Sequence, residues 1–140
     1  MKNLRCLRFL LSLASILSLA IIAFALDGDI GIHDPSTVVL YDGKYYTYGT
    51  GGASLVSDDG WTWHRGTALP RRGLAPDVIH IGDRYYVYVA ATIGAQPKAA
   101  VNMIWSKTLD PNSPDYKWEE GGVVASSDGG FTVSLVSIAK

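Results

Sequence analysis

Beyond an apolar run near its start, the chain alternates hydrophobic and polar positions in short stretches and never settles into a helical period. Asp-Gly, Gly-Asp, Gly-Gly and Pro pairs interrupt these stretches at the spacing of an all-β fold. In a first unit the pattern predicts strands over residues 36–41, 44–50, 53–57 and 62–65. Asp42-Gly43 sits between the first two as a hairpin turn, since both positions tolerate the positive φ of a type I′ turn. Gly49, Gly51 and Gly52 then allow a bend or a close backbone approach. A second unit predicts strands over 78–81, 84–91 and 101–106, with a loop at 92–98. Stretches at 117–119 and 123–126 read as a closing strand and the step into a third unit. From Gly129 onward the pattern does not restart.

The two units are related. Tyr45-Tyr46-Thr47-Tyr48 and Tyr85-Tyr86-Val87-Tyr88 lie 40 residues apart, each after a hairpin turn and each downstream of a lone aspartate, Asp34 or Asp77. A hairpin-rich β unit repeating every ~40–50 residues is the mark of propeller blades. Ser57-Asp58-Asp59-Gly60-Trp61-Thr62-Trp63 is similar to the turn between outer strands of sugar-active propellers, where Ser and Asp cap the turn and a Trp packs beneath it. Trp118 takes the role of Trp63 after an insertion in the loop 109–114. Adjacent tyrosines face opposite sides of a strand. Packing between blades is therefore the expected role for part of each cluster, and packing beneath a turn is expected for Trp105 and Trp118, either of which could alternatively stack on a sugar ring.

The first 25 residues stand apart. Lys2, Arg5 and Arg8 precede an apolar run from Phe9 to Ala25, and Ala23-Phe24-Ala25 offers a small-x-small cleavage pattern, so residues 1–25 are expected to be a signal peptide and the product exported. An uncleaved membrane anchor is the alternative. Cys6 lies before the run, leaving the expected mature chain, 26–140, without cysteine. That chain carries 9 basic and 13 acidic residues, a net of −4, with no basic patch interleaved with aromatics, which speaks against nucleic acid. Some 115 residues are too few for the four or more blades of a propeller. Two blades alone leave an unclosed edge, so the expectation is the front part of something longer.

Candidate chemistry centres on Asp34 and Asp77. Each borders a proline and each could simply initiate a turn. Their similar placement before successive tyrosine strands suggests instead two carboxylates converging at a propeller axis, where like-charge repulsion raises a pKa for acid–base work. His33, beside Asp34, is the one histidine placed near such a site; His33, His64 and His80 lack zinc spacing. Asp27-Gly28-Asp29-Ile30-Gly31 starts like a calcium loop but lacks its third acidic ligand and final Glu. No phosphate-binding glycine loop or Gly-x-Ser-x-Gly elbow is present.

Gly28-Asp29-Ile30-Gly31-Ile32-His33-Asp34-Pro35-Ser36, Asp42-Gly43-Lys44-Tyr45-Tyr46-Thr47-Tyr48-Gly49-Thr50-Gly51, Ala75-Pro76-Asp77-Val78 and Ser106-Lys107-Thr108-Leu109-Asp110-Pro111 together resemble glycoside hydrolase family 43. The likeness covers residues 28–128 and is nearest to the endo-1,5-α-L-arabinanases. It implies a five-bladed β-propeller, of which about two blades are present, and inverting hydrolysis of arabinan or a related plant cell-wall polysaccharide by three carboxylates. Asp34 matches the general base, Asp77 the residue that tunes and orients the acid, and His33 a substrate contact. The general acid, a glutamate from a later blade, has no counterpart, since Glu119 and Glu120 match no catalytic motif. Leu74 stands where an aromatic residue often precedes Ala-Pro-Asp. The resemblance implies no organic cofactor and leaves room for a central cation. Three rival readings stay open: a family 43 β-xylosidase or α-L-arabinofuranosidase, a non-catalytic sugar-binding propeller fragment, and a degenerate product that does not fold.

Overall fold

Two β-sheets follow one another along the chain in a computed structural model that describes residues 25–93 and 98–127. The expected leader and its Cys6, the tip of the 92–98 loop and the tail from Gly129 lie outside the described residues. The first sheet contains β1 (Asp27–Gly28), β2 (Val39–Tyr41), β3 (Lys44–Gly49), β4 (Ala53–Ser57) and β5 (Thr62–Arg65) in the order β1-β5-β4-β3-β2. The second contains β6 (Leu74–Ile81), β7 (Arg84–Ile93), β8 (Lys98–Ser106) and β9 (Glu119–Ser126) in the order of the chain. Each contains an antiparallel meander of four strands, β2–β5 in the first, where β1 adds a fifth strand parallel to β5, and β6–β9 in the second, and the sequence reading of an all-β, blade-like repeat stands.

The registers show how closely the two units correspond. Tyr45 faces Ser57 across β3 and β4, and Tyr85 faces Ser106 across β7 and β8. Val56 pairs with His64, and Trp105 with Glu119, so Trp118 occupies the place of Trp63 one residue before each partner. The second hairpin is longer, with β7 at 10 residues against 6 in β3. That is why the repeat is regular at the tyrosines and drifts beyond them.

Several elements differ from the sequence expectation; β2 starts at Val39, three residues late, and β8 at Lys98, three residues early. β6 begins at Leu74, four residues early, and passes through Pro76 by a register shift between Leu74 and Asp77. A bulge of this kind is where a strand accommodates proline. Residues 117–119 and 123–126 do not form a closing strand and a step outward; Glu119–Ser126 is one strand on β8, with two register shifts that leave Gly121 and Val124 without partners in the pairing. The calcium-like segment is the edge strand β1, parallel to β5, with Gly28 at φ 78° lying so close to the Trp63 carbonyl that a Cβ would sit 2.2 Å from its oxygen. Backbone pairing occupies it.

The core lies between the sheets. Tyr46 and Tyr48 on β3 meet Val78 on β6, Tyr85, Val87 and Val89 on β7, and Ile104 on β8 in one buried cluster. These are alternate positions of each strand, so the period-2 pattern puts one tyrosine set inside while Tyr86 and Tyr88 face the other way, half-buried. Tyr85 is the tie between blades: its ring meets Tyr41 edge-on at 5.5 Å, it stacks on His80 at 4.3 Å, and its hydroxyl donates to the Leu40 carbonyl at 3.1 Å. Trp118 packs edge-on against Tyr48 across the same boundary, and Trp105 lies beneath the Arg84 guanidinium.

The Ser57–Trp63 turn forms as expected. Ser57 Oγ accepts from the Gly60 N–H at 2.8 Å, and Asp59 Oδ1 accepts from the Trp61 and Thr62 N–H groups at 2.8 and 2.7 Å. Trp63 is the buried tryptophan and Trp61 is exposed. The Thr62 and Trp61 N–H groups hold the Asp59 carboxyl down to about 2. A carboxylate with a depressed pKa contributes stability that is full above its unfolded value of about 3.9 and is lost as pH falls through the folded value. Asp59→Asn is therefore expected to narrow the difference in Tm between pH 5 and pH 2.5, read by circular dichroism; an unchanged difference would mean that this turn does not contribute to acid sensitivity.

Candidate active site

The chain between β1 and β2 folds back over the end of β3. Gly49 makes this approach possible, because a Cβ there would lie 2.4 Å from the Ile32 side chain and 2.8 Å from the His33 carbonyl oxygen. Thr50 N–H then donates to that carbonyl at 2.9 Å. The segment turns at Asp34, whose φ of 48° is unusual for a residue with a side chain. Ser36 stitches the strand end, its Oγ accepting from the Tyr48 N–H at 3.0 Å and its carbonyl from the Thr47 hydroxyl at 3.1 Å.

Asp34 is held on one side. Its Oδ2 accepts from the Thr50 hydroxyl at 3.0 Å and lies 2.8 Å from His33 Nδ1. Oδ1 has no hydrogen bond among the described residues. The His33 imidazole is 79 % exposed, leaning on Asp34 with its far edge open. Thr50 Oγ1 also accepts the Ala75 N–H at 2.9 Å, so one hydroxyl bridges Asp34 to the Ala75-Pro76-Asp77 motif of the other blade.

Asp77 returns the contact. Its Oδ1 accepts the Thr37 N–H at 3.0 Å, across 40 residues of chain. That bond, with further hydrogen bonds from Thr37 and Val78, outweighs partial burial and lowers the Asp77 pKa from its ordinary value. The like-charge elevation expected from sequence is thus reversed at Asp77, because a backbone donor reaches it. Thr37 is three residues from Asp34, and three residues span at most about 11 Å. The two carboxylates therefore belong to one end of adjacent blades.

They are not register-equivalent, as the repeat suggested. Leu40 and His80 face Tyr45 and Tyr85 respectively, so Asp77 corresponds to Thr37, the residue that donates to it. Asp34 reaches the same end through the turn before β2. Thr37 and Thr50 escaped the sequence reading: neither is marked by anything stronger than a hydroxyl residue beside a bend. Glu120 is drawn to Arg71, with Nε at 3.0 Å, and Glu119 to Lys117, so neither glutamate joins the pair. Among the described residues no three His, Cys, Asp or Glu side chains group as a metal cage.

No family model matches the chain. A probable arabinan endo-1,5-alpha-L-arabinosidase A of Aspergillus flavus is 32% identical over 120 residues, covering 75% of this chain and 36% of the relative. Cellvibrio japonicus has an extracellular exo-alpha-(1->5)-L-arabinofuranosidase that is 36% identical over 53 residues, covering 38% of this chain and 15% of the relative. The crystal structure of an exo-1,5-alpha-L-arabinanase from a bovine ruminal metagenomic library superposes with a TM-score of 0.60 at 33% identity, over 69% of this chain and 36% of that one. The GH43 endo-arabinanase of Bacillus licheniformis shares the fold, with a TM-score of 0.62 at 24% identity over 76% of this chain and 42% of its own. The chain belongs to glycoside hydrolase family 43. Its two sheets are blades of that family's five-bladed β-propeller. It spans about a third of the length of the Aspergillus flavus relative, 36%, and less of the Cellvibrio japonicus one. The site described above lies within this family 43 portion.

Proposed function

We propose that the chain supplies two blades and two catalytic carboxylates of an exported glycosidase that hydrolyses internal α-1,5-arabinofuranosyl links with inversion. The observation that carries this is the reciprocal bonding of the two motifs, Thr50 to Asp34 and Ala75 one way, Thr37 to Asp77 the other. Kinship with arabinan-cleaving relatives supports the substrate class, and the basic start with its apolar run supports export.

Asp34 acts as general base. Oδ2 is fixed by Thr50, and Oδ1 is the oxygen available to take a proton from attacking water. Asp77 acts by charge. Its lowered pKa keeps it anionic, and an anion near a carboxylic acid disfavours loss of that acid's proton. The resemblance makes the acid a glutamate, which in an inverting pair stands about 6.5–9.5 Å from the base, and the sequence offers only Glu119 and Glu120, both tied elsewhere.

The test has two arms. The purified 140-residue chain is expected to release no sugar from linear arabinan. Residues 28–127, grafted in place of the matching segment of the Aspergillus flavus relative, are expected to give a chimera that cleaves linear arabinan and leaves aryl xylosides intact. Turnover by the isolated chain, or a folded chimera that prefers xylosides, defeats the assignment.

A further inference from the structure

Between the first blade and the loop after β8 of the second lies a cleft of about 420 Å³, within the ~300–1,000 Å³ of small-molecule sites. One wall is the face of β3 and β4 carrying Tyr46, Tyr48 and Ser54, with Arg65 at the end of β5. The loop after β8 forms the other wall, through Asp110, Asn112 and Tyr116. None of the residues around Asp34 and Asp77 lines it. Both walls come from neighbouring blades present in this chain, so the cleft does not depend on any further blade.

Its polar groups are short of partners. Tyr48 and Ser54 are buried residues whose hydroxyls make no hydrogen bond to any described residue and keep contact with solvent; the buried unpartnered side-chain atoms among the described residues are Trp63 Nε1 and Arg84 Nε, neither of which lines the cleft. Burial raises the Tyr48 pKa, so this hydroxyl remains a donor at any working pH. The Arg65 guanidinium has no carboxylate partner among the described residues. Tyr116 accepts the Trp118 Nε1–H at 3.1 Å, which leaves its own proton to donate. Hydroxyls that open onto one cleft without a protein partner are free to bond a ligand that brings hydroxyls of its own.

Charge narrows the class. Lys44 and Arg65 are offset by Asp42 and Asp110 around the cleft, and Lys44 is already paired with Asp58 at 2.8 Å. The lining has no net charge to recruit an anion or a cation, and its donors and acceptors are mixed. We propose that this interblade cleft is a second, non-catalytic site for one or two rings of a neutral sugar, separate from the carboxylate pair. The choice of arabinose as that sugar rests on the function proposed above; the neutral, hydroxyl-rich class rests on the cleft alone.

The experiment is a titration of the isotopically labelled 140-residue chain with α-1,5-arabinotriose, followed by amide NMR shifts. Saturable shifts are expected at Tyr46, Tyr48, Ser54, Arg65 and Asn112. They should persist in the Asp34→Asn/Asp77→Asn double variant. Tyr48→Phe, which keeps the ring and removes one hydroxyl, should weaken binding about five- to tenfold, and the exposed Arg65→Ala checks the result at a position outside the core. Inorganic phosphate should give no shift there. The proposal falls if phosphate binds and the sugar does not, if shifts confine themselves to the Asp34 end, or if neither folded single variant changes affinity. Saturation at the cleft in a chain whose chimera proves inactive would uphold the second site while the catalytic reading fails.

Discussion

Asp34→Asn, introduced into the grafted chimera, is expected to lower kcat on linear arabinan by about 10³-fold, within the ~10²–10⁴ that a positioned general base contributes. Asparagine keeps the size of the side chain and can still accept from Thr50 through its carbonyl oxygen, but it cannot take a proton from water. KM and the fold should therefore change little, and retained binding of arabinohexaose with an unaltered circular dichroism spectrum would exclude misfolding as the cause. Asp77→Asn should act differently. Its carboxylate stays charged because Thr37 donates to it, so neutralising it removes repulsion that keeps the acid protonated. The acid's pKa drops, and the alkaline limb of the pH–rate profile moves to lower pH. More than a tenth of the parental rate left in Asp34→Asn, or an unmoved alkaline limb in Asp77→Asn, would reassign those roles.

Much of this arrangement was legible because β structure writes its period into the sequence. The tyrosine strands, Asp42-Gly43 and the Ser57–Trp63 turn are local features, each fixed by a few adjacent residues, and all formed where expected. The register equivalence of Trp63 and Trp118 was also readable, since an inserted loop leaves strand pairing intact. What escaped depends on contacts between distant segments. β1 has no strand pattern of its own and exists because the β5 edge offers it partners. β6 runs through Pro76 because a bulge absorbs the missing donor.

The site shows the same division. Two aspartates before two tyrosine strands were enough to expect the two motifs at one end of adjacent blades, where Thr50 and Thr37 link them. Their offsets from the strands, 11 residues for Asp34 and 8 for Asp77, already differed by the three residues that make Thr37, and not Asp34, the register mate of Asp77. The sign of the Asp77 shift was not legible. Like charge nearby argued for elevation, but the N–H of Thr37 is nearer and stronger, and no sequence pattern announces a backbone donor from another blade. Electrostatics at a blade boundary follow from packing.

That boundary carries the second large effect. In the 140-residue chain Tyr85→Ala is expected to destabilise by about 3–5 kcal/mol, the usual range for emptying a buried aromatic site, whereas Tyr86→Ala should cost about 1 kcal/mol or less, typical of a change outside the core. The two residues are neighbours of the same type on one strand. They differ only in the face they present: Tyr85 is buried against Tyr41 and His80 and bonds the Leu40 carbonyl, while Tyr86 is half-exposed on the far side of β7. Loss of Tyr85 also loosens the contact that holds β2, which follows Asp34 in the chain, against β6, which carries Asp77. Denaturant unfolding should show the lower midpoint for Tyr85→Ala, and hydrogen exchange should show the Thr37 and Ala75 amides losing protection before the β7–β8 amides do. Equal destabilisation by the two alanines, or amides at Thr37 and Ala75 that stay protected, would mean that the blades are joined by something other than the buried tyrosine face, and that the carboxylates do not owe their proximity to it.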